Sequence, residues 1–104
     1  MPTKRASSSN TALNLEKEAS RQQEQLHFQV VTAAGTAVDE MTRYVSLPLV
    51  GGSVGILPGH APLLAAVAAG TAICDDGVDR KTFQVSDGIV EVSDNHVLVL
   101  SQPV

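Results

Sequence analysis

Aromatic residues are scarce in this 104-residue chain, which has no tryptophan, one tyrosine and two phenylalanines. Any core must therefore be built from valine, leucine, isoleucine and alanine. The single cysteine, Cys74, excludes an internal disulfide and suits a reducing compartment. Seven Lys and Arg stand against eleven Asp and Glu, a formal charge of −4. No basic stripe is left to neutralise phosphates, so a nucleic-acid partner is not expected. No apolar run approaches the roughly 20 residues that span a bilayer, so direct membrane insertion is not expected either. The opening MPTKRASSSN lacks the apolar stretch of a signal peptide. Glu16, Glu18 and Glu24 follow closely, and transit peptides are poor in acids. These absences predict a soluble intracellular protein.

What is present falls into two textures. Residues 1–25 hold Ser7-Ser8-Ser9, four of the seven basic residues and only two leucines, Leu13 and Leu15. Good helix formers follow Asn10 and Thr11, but apolar positions are too few to dock a stripe on a core. This segment is expected to be a polar, flexible tail with at most a short helix. From residue 26 onward short alternating patterns take over. LHFQV sets Leu26, Phe28 and Val30 against His27 and Gln29, and TRYVSLPL puts Val45 and Leu47 on one face. RKTFQV points Phe83 and Val85 inward; IVEVS and HVLVLS are joined by Asp94-Asn95, a pair suited to a tight hairpin. Asp75-Asp76-Gly77 marks another hairpin. Eight or nine short strands result. The expectation for residues 26–104 is an all-β domain, a small antiparallel β-sandwich or flattened barrel.

The stretch GGSVGILPGHAPLLAAVAAG, residues 51–70, is the densest in punctuation. Its end, PLLAAVAAG, reads by propensity as a short helix, with Pro first, alanines inside and Gly last. A phosphate loop needs Lys and then Ser or Thr after its final glycine, but His60 and Ala61 follow Gly59. The spacing of Gly51, Gly52 and Gly55 does not fit a dinucleotide fingerprint. No G-x-S-x-G is present for a nucleophile elbow. His60 is the most tempting single residue, and Ser53 and Asp87 are open to it as nucleophile and orienting carboxylate, yet nothing in their spacing proposes that role. His27, His60 and His96 form no ligand motif, and Asp75, Asp76 and Asp79 lack the calcium-loop register. Cys74 reads as a buried, inert thiol. Accordingly no catalytic residue, cofactor or metal is predicted.

VSLPLVGGSVGILPGHAPLLAAVAAG, followed by FQVSDGIVEVSDNHVLVLS, resembles the N-terminal β-sandwich domain of the epsilon subunit of F-type ATP synthases, the counterpart of the mitochondrial delta subunit. The likeness runs from about Leu26 to the C-terminus, and GILPGHAPLL, residues 55–64, is its most specific block. The resemblance implies two five-stranded sheets, with residues 62–67 extended rather than helical. It implies a non-catalytic rotor part of the central stalk, at the cytoplasmic face of a bacterial inner membrane. Such a part binds the gamma subunit and the c-ring, acts indirectly on the alpha–beta hexamer, and couples proton flow to ATP synthesis. Leu49, Val50, Gly51, Gly52 and Ser53 would face the c-ring. Thr32, Gly55, Pro58, Gly59, His60 and Pro62 would form the gamma-facing or structural motif.

This chain departs from the family pattern in places. Relatives commonly carry Gly at position 49 and carboxylates at 51 and 53, where this chain has Leu49, Gly51 and Ser53. The expected ring contact is therefore apolar, centred on Leu49. Asp87 stands where the first Gly of a family pair sits, a position at which left-handed backbone is expected. The chain stops at Val104, so the family's C-terminal helical hairpin, with its inhibitory or ATP-binding role, is not carried over. Two rival readings are a free-standing β-sandwich that binds a small ligand and an enzyme using His60. The first would need stacking aromatics, and Phe28, Tyr44 and Phe83 are few. Binding of a gamma subunit separates all three.

Overall fold

Alternation of apolar and polar residues makes β1, Leu26–Thr32, a strand with one face wholly inside: Leu26, Phe28 and Val30 are buried. The computed structural model describes residues 24–103, so the proposed tail falls, up to residue 23, outside the described residues. Eight more strands follow: β2 Gly35–Thr42, β3 Tyr44–Leu49, β4 Gly52–Ile56, β5 Leu63–Val67, β6 Gly70–Asp75, β7 Arg80–Val85, β8 Gly88–Ser93 and β9 His96–Ser101. The segment 63–67 is strand, as the family likeness implied and against its helical propensity. Val67 is buried and β5 is paired along its length with β8, so tertiary burial overrides the alanines.

The all-β sandwich expectation holds, with two refinements. Among the described residues all nine strands belong to one hydrogen-bonded sheet, ordered β2-β1-β9-β8-β5-β3-β6-β7, with β4 paired to β3. The sheet bends at a corner where β5 and β3 share the pair Leu49↔Val67. Five strands thus lie on one side of the corner and four, rather than five, on the other. The second refinement is that β1 and β9 run parallel, from His27↔His96 to Val31↔Leu100. Alternation within a strand fixes its faces but not the direction of its neighbour.

The interior is aliphatic, as the scarcity of aromatics demanded. Val45, Leu47, Ile56, Val67, Val90, Val92, Val97 and Val99 are almost fully buried. The rings of Phe28 and Phe83 meet between the two halves, 6.2 Å apart and tilted by 58°. Opposite the corner, the terminal strands β2 and β7 are linked by Lys81 Nζ donating to Glu40 Oε1 at 2.8 Å. That ion pair holds the Lys81 ammonium above its ordinary pKa. Cys74 is buried beneath this seam, and desolvation pushes its thiol up. Among the described residues no helix is long and apolar enough to cross a membrane.

Both predicted hairpins form. Asp94 and Asn95 take φ of 50° and 61°, the left-handed pair of a type I′ turn. In the loop after Asp75, the Asp76 carboxylate accepts from the backbone N–H of Val78 and Asp79 at 2.8 and 2.7 Å. Those bonds hold the Asp76 carboxyl below its ordinary range, so its charge serves the turn.

Candidate functional site

Leu57-Pro58-Gly59-His60 closes a β-turn, with His60 N–H donating to the Leu57 carbonyl at 3.1 Å. Pro58 presets the first corner, and Gly59 takes φ of +85° at the second, the type II arrangement that glycine alone adopts without strain. The turn is tied across the molecule as well: Gly59 N–H donates to Asn95 Oδ1 at 2.7 Å. The sharp β8–β9 hairpin therefore holds the β4–β5 connection in place. His60 Nδ1 lies 2.6 Å from its neighbour's carbonyl, Ala61 O, which can only accept, so Nδ1 carries the proton. Among the described residues no nucleophile or carboxylate is hydrogen-bonded to this imidazole. Pro62 is exposed beside it.

Gly55 lies in β4 beneath the Tyr44 ring, whose hydroxyl would be 3.0 Å from a Cβ added there. Thr32 is not gathered with this block. Its Oγ1 donates to Gly35 O at 3.2 Å and accepts from Ala34 N–H at 3.1 Å, fastening the β1–β2 hairpin. That hairpin is at the far end of β1 from His27, which bonds Asn95 O. Five residues of strand, about 16 Å, separate the two ends.

The other predicted loop, Leu49 to Ser53, turns β3 into β4. Val50, Gly51, Gly52 and Ser53 are exposed, and Val50 is 74% exposed. Leu49 differs from the expectation: it is partly buried and packs against the core. Its pairing with Val67 at the corner draws it inward, which leaves Val50 as the loop's exposed apolar side chain. Asp87 also departs from expectation, because Asp94 and Asn95 are the only described non-glycine residues at positive φ. The Asp87 carboxylate instead accepts from Ala69 N–H at 3.2 Å.

Sequence reading missed a polar cluster on the outer face of β2, β1 and β9. His27 Nε2 lies 2.6 Å from Asp39 Oδ1, His96 Nε2 lies 2.6 Å from Gln29 Oε1, and the two imidazoles stack with centroids 5.0 Å apart. The His27 bond holds the Asp39 carboxyl below its ordinary range. Strand parity had put His27 and Gln29 on that face, but nothing in the sequence paired them with Asp39 and His96. Among the described residues no group of His, Cys, Asp and Glu is arranged to hold a metal ion. A surface depression of about 400 Å³ is lined by Glu24, Arg43, Tyr44, Leu57, Pro58, Asp75 and Gly77. Tyr44 is its only aromatic.

Residues 25–104 match the family described as ATP synthase, Delta/Epsilon chain, beta-sandwich domain. The chain belongs to this family. It is 38% identical over 80 residues to the ATP synthase epsilon chain of Lawsonia intracellularis, covering 77% of this chain and 60% of that relative. With the epsilon chain of Solibacter usitatus it shares 37% over 76 residues, 73% of this chain and 57% of the relative. The chain thus spans less than two thirds of the length of these relatives. Its fold is similar to a chain in the Euglena gracilis mitochondrial ATP synthase (OSCP/F1/c-ring), with a TM-score of 0.68 at 19% identity over 74% of this chain and 50% of that one. It is likewise similar to a chain in the central stalk/c-ring structure of the Tetrahymena thermophila mitochondrial ATP synthase. There the TM-score is 0.63 at 14% identity, over 77% of this chain and 65% of that one.

Proposed function

We propose that the chain is a non-catalytic central-stalk subunit of a proton-translocating F-type ATP synthase. In this reading it binds the gamma subunit and the c-ring and helps couple proton flow to ATP synthesis, as a peripheral part at the cytoplasmic face of a bacterial inner membrane. The observation that carries the proposal is the family match over residues 25–104, together with relatives named as ATP synthase epsilon chains. The geometry supports it physically. Torque transmission needs a stiff body, and the 57–60 turn is fixed by Pro58, Gly59 and the Asn95 bond, so docking would remove little loop entropy. Of the assigned residues, Gly55, Pro58, Gly59, His60 and Pro62 are read as a scaffold around that turn. Gly51, Gly52, Ser53 and Val50 are read as the ring-facing loop.

The ligand-binding alternative loses support because Phe28 is fully buried and Phe83 is partly buried, leaving Tyr44 alone to stack. To test the proposal, the purified chain is mixed with the gamma subunit of the same organism and the mixture is fractionated by size. Co-elution as a defined complex is expected. Independent elution of the two at micromolar concentration would overturn it.

A further inference from the structure

The outer face of β5, β8, β9 and β1 is apolar across one whole row of the sheet. Register sets Ala66 beside Ile89, Ile89 beside Leu100, and Leu100 beside Val31. Ile89 and Leu100 are each 51% exposed, and with Val31 they line a depression of about 390 Å³. In the next row Glu91 stands between Leu98 and Leu64, the latter 73% exposed. Contiguous exposed apolar surface of this kind marks a contact. The charge around it is of one sign. Strands β2, β1, β9, β8 and β5 carry Asp39, Glu40 and Glu91 but no Lys or Arg. Among the described residues Glu91 is in no ion pair. The occupant that fits is apolar with basic groups beside it, and a second copy would bring only the same carboxylates.

The chain itself supplies that complement. Residues 1–23, which lie outside the described residues, hold four of the seven Lys and Arg but two of the eleven Asp and Glu. Their formal charge is +2, against −6 for residues 24–104. From Leu13 to Arg21 every second residue is apolar or basic: Leu13, Leu15, Lys17, Ala19 and Arg21. Both acids, Glu16 and Glu18, fall on the other parity. A helix would set Leu13 and Leu15 about 200° apart, whereas an extended chain sets them on one side. The pattern that gives no helical stripe therefore gives an apolar and basic edge when extended.

We infer that residues 13–21 lie extended over this outer face, Leu13 and Leu15 against Ile89 and Leu100, with the basic side chains beside Glu91. The inference is independent of the rotor reading. Two leucines are too few for a core, but they are enough to cover a shallow depression. The reach also suffices. Strand spacing near 4.8 Å and a rise near 3.3 Å per residue put Ile89 roughly 25 Å from residue 24. Leu15 precedes residue 24 by nine positions, about 30 Å of extended chain. Lys17, two residues nearer to β1, then falls about one row closer to it, at the level of Glu91.

The test is paramagnetic attenuation of methyl NMR signals in the full chain. Cys74 is buried, so a nitroxide attaches selectively through Asn10→Cys. The methyl signals of Leu64, Ile89 and Leu100 should lose at least about half their intensity, while those of Val78, in the loop after β6, keep theirs. Lys17→Glu with Arg21→Glu, neither in a described strand, should restore the lost intensity, and so should high salt. Equal attenuation at Val78, or attenuation that the double variant leaves unchanged, would overturn the inference. So would full intensity at Ile89 and Leu100 in the labelled chain. Labelled chain mixed with unlabelled, isotope-enriched chain separates the remaining case. Attenuation in that mixture would make a second copy the occupant, and the inference would fall.

Discussion

Two turns cut from the same glycine-rich stretch behave differently. Leu57–His60 is braced from within by its Pro-Gly corner and from outside by Asn95, which reaches it from 36 positions away. Leu49–Ser53 is held through backbone alone, Val50 N–H donating to the Ala66 carbonyl at 3.1 Å; Leu49 is anchored in the core while the Val50 side chain stands 74% exposed. Composition makes the two look alike. The difference lies in what each touches, and it underlies the proposed division into a scaffold and a contact surface.

The comparison can be broken first at the frame that carries both turns. A Cβ at Gly88 would lie 2.0 Å from the Leu100 carbonyl oxygen, a backbone atom that cannot swing aside. Gly88→Ala should therefore cost about 3 kcal/mol or more, at or beyond the usual upper end for overpacking. Chemical denaturation reads this directly, and a loss below about 1 kcal/mol would mean β8 and β9 separate easily.

Leu49→Asp comes next. It places a carboxylate against the core and should lower stability by about 2 kcal/mol, with any loss of binding following from that. Asn95→Ala should cost about 1–2 kcal/mol, because it removes both a left-handed residue and the brace on Gly59. Its mark should be faster amide exchange at Gly59, with exchange in the Val50–Ser53 hairpin unchanged. Equal effects on the two turns would erase the distinction between them.

The smallest effect is electrostatic. The Asp39 carboxyl is held below its usual 3.8, chiefly by the bond to His27. A lowered folded value means the contribution is present above about 3.8 and is lost as pH falls through the folded pKa. Asp39→Asn should therefore reduce stability slightly at neutral pH and flatten its fall below about pH 4. Both groups are solvent-exposed, so the change should be small and weaker still in high salt. Parallel denaturation curves at pH 3 and pH 7 for the two proteins check it.

Much of the fold was legible because burial here follows strict alternation. Leu26, Phe28, Val30, Val45 and Leu47 occupy the inward positions that a period of two assigns them. The type I′ hairpin was legible because Asp-Asn is chemically suited to two left-handed residues. Residues 62–67 were legible only through family likeness, since alanines favour helix and only pairing with β8 makes them strand. The parallel β1–β9 pair and the four-strand half were not legible, because alternation carries no information about neighbours. Nor was the difference in exposure on which the proposed division of labour rests. Leu49 and Val50 are adjacent aliphatic residues, and only the corner at Val67 decides which is withdrawn.

Retention of the chain on isolated c-rings, measured across a salt series for wild type and Val50→Asp, tests the central claim most directly. Val50→Asp should leave stability within about 0.5 kcal/mol of wild type, as surface changes usually do. The wild type should stay bound through moderate salt, because the loop carries no charge to screen. Val50→Asp should be lost from the rings under the same conditions. Steep release of the wild type as salt rises, with Val50→Asp binding as well as wild type, would contradict the assignment of this loop as an apolar rotor contact.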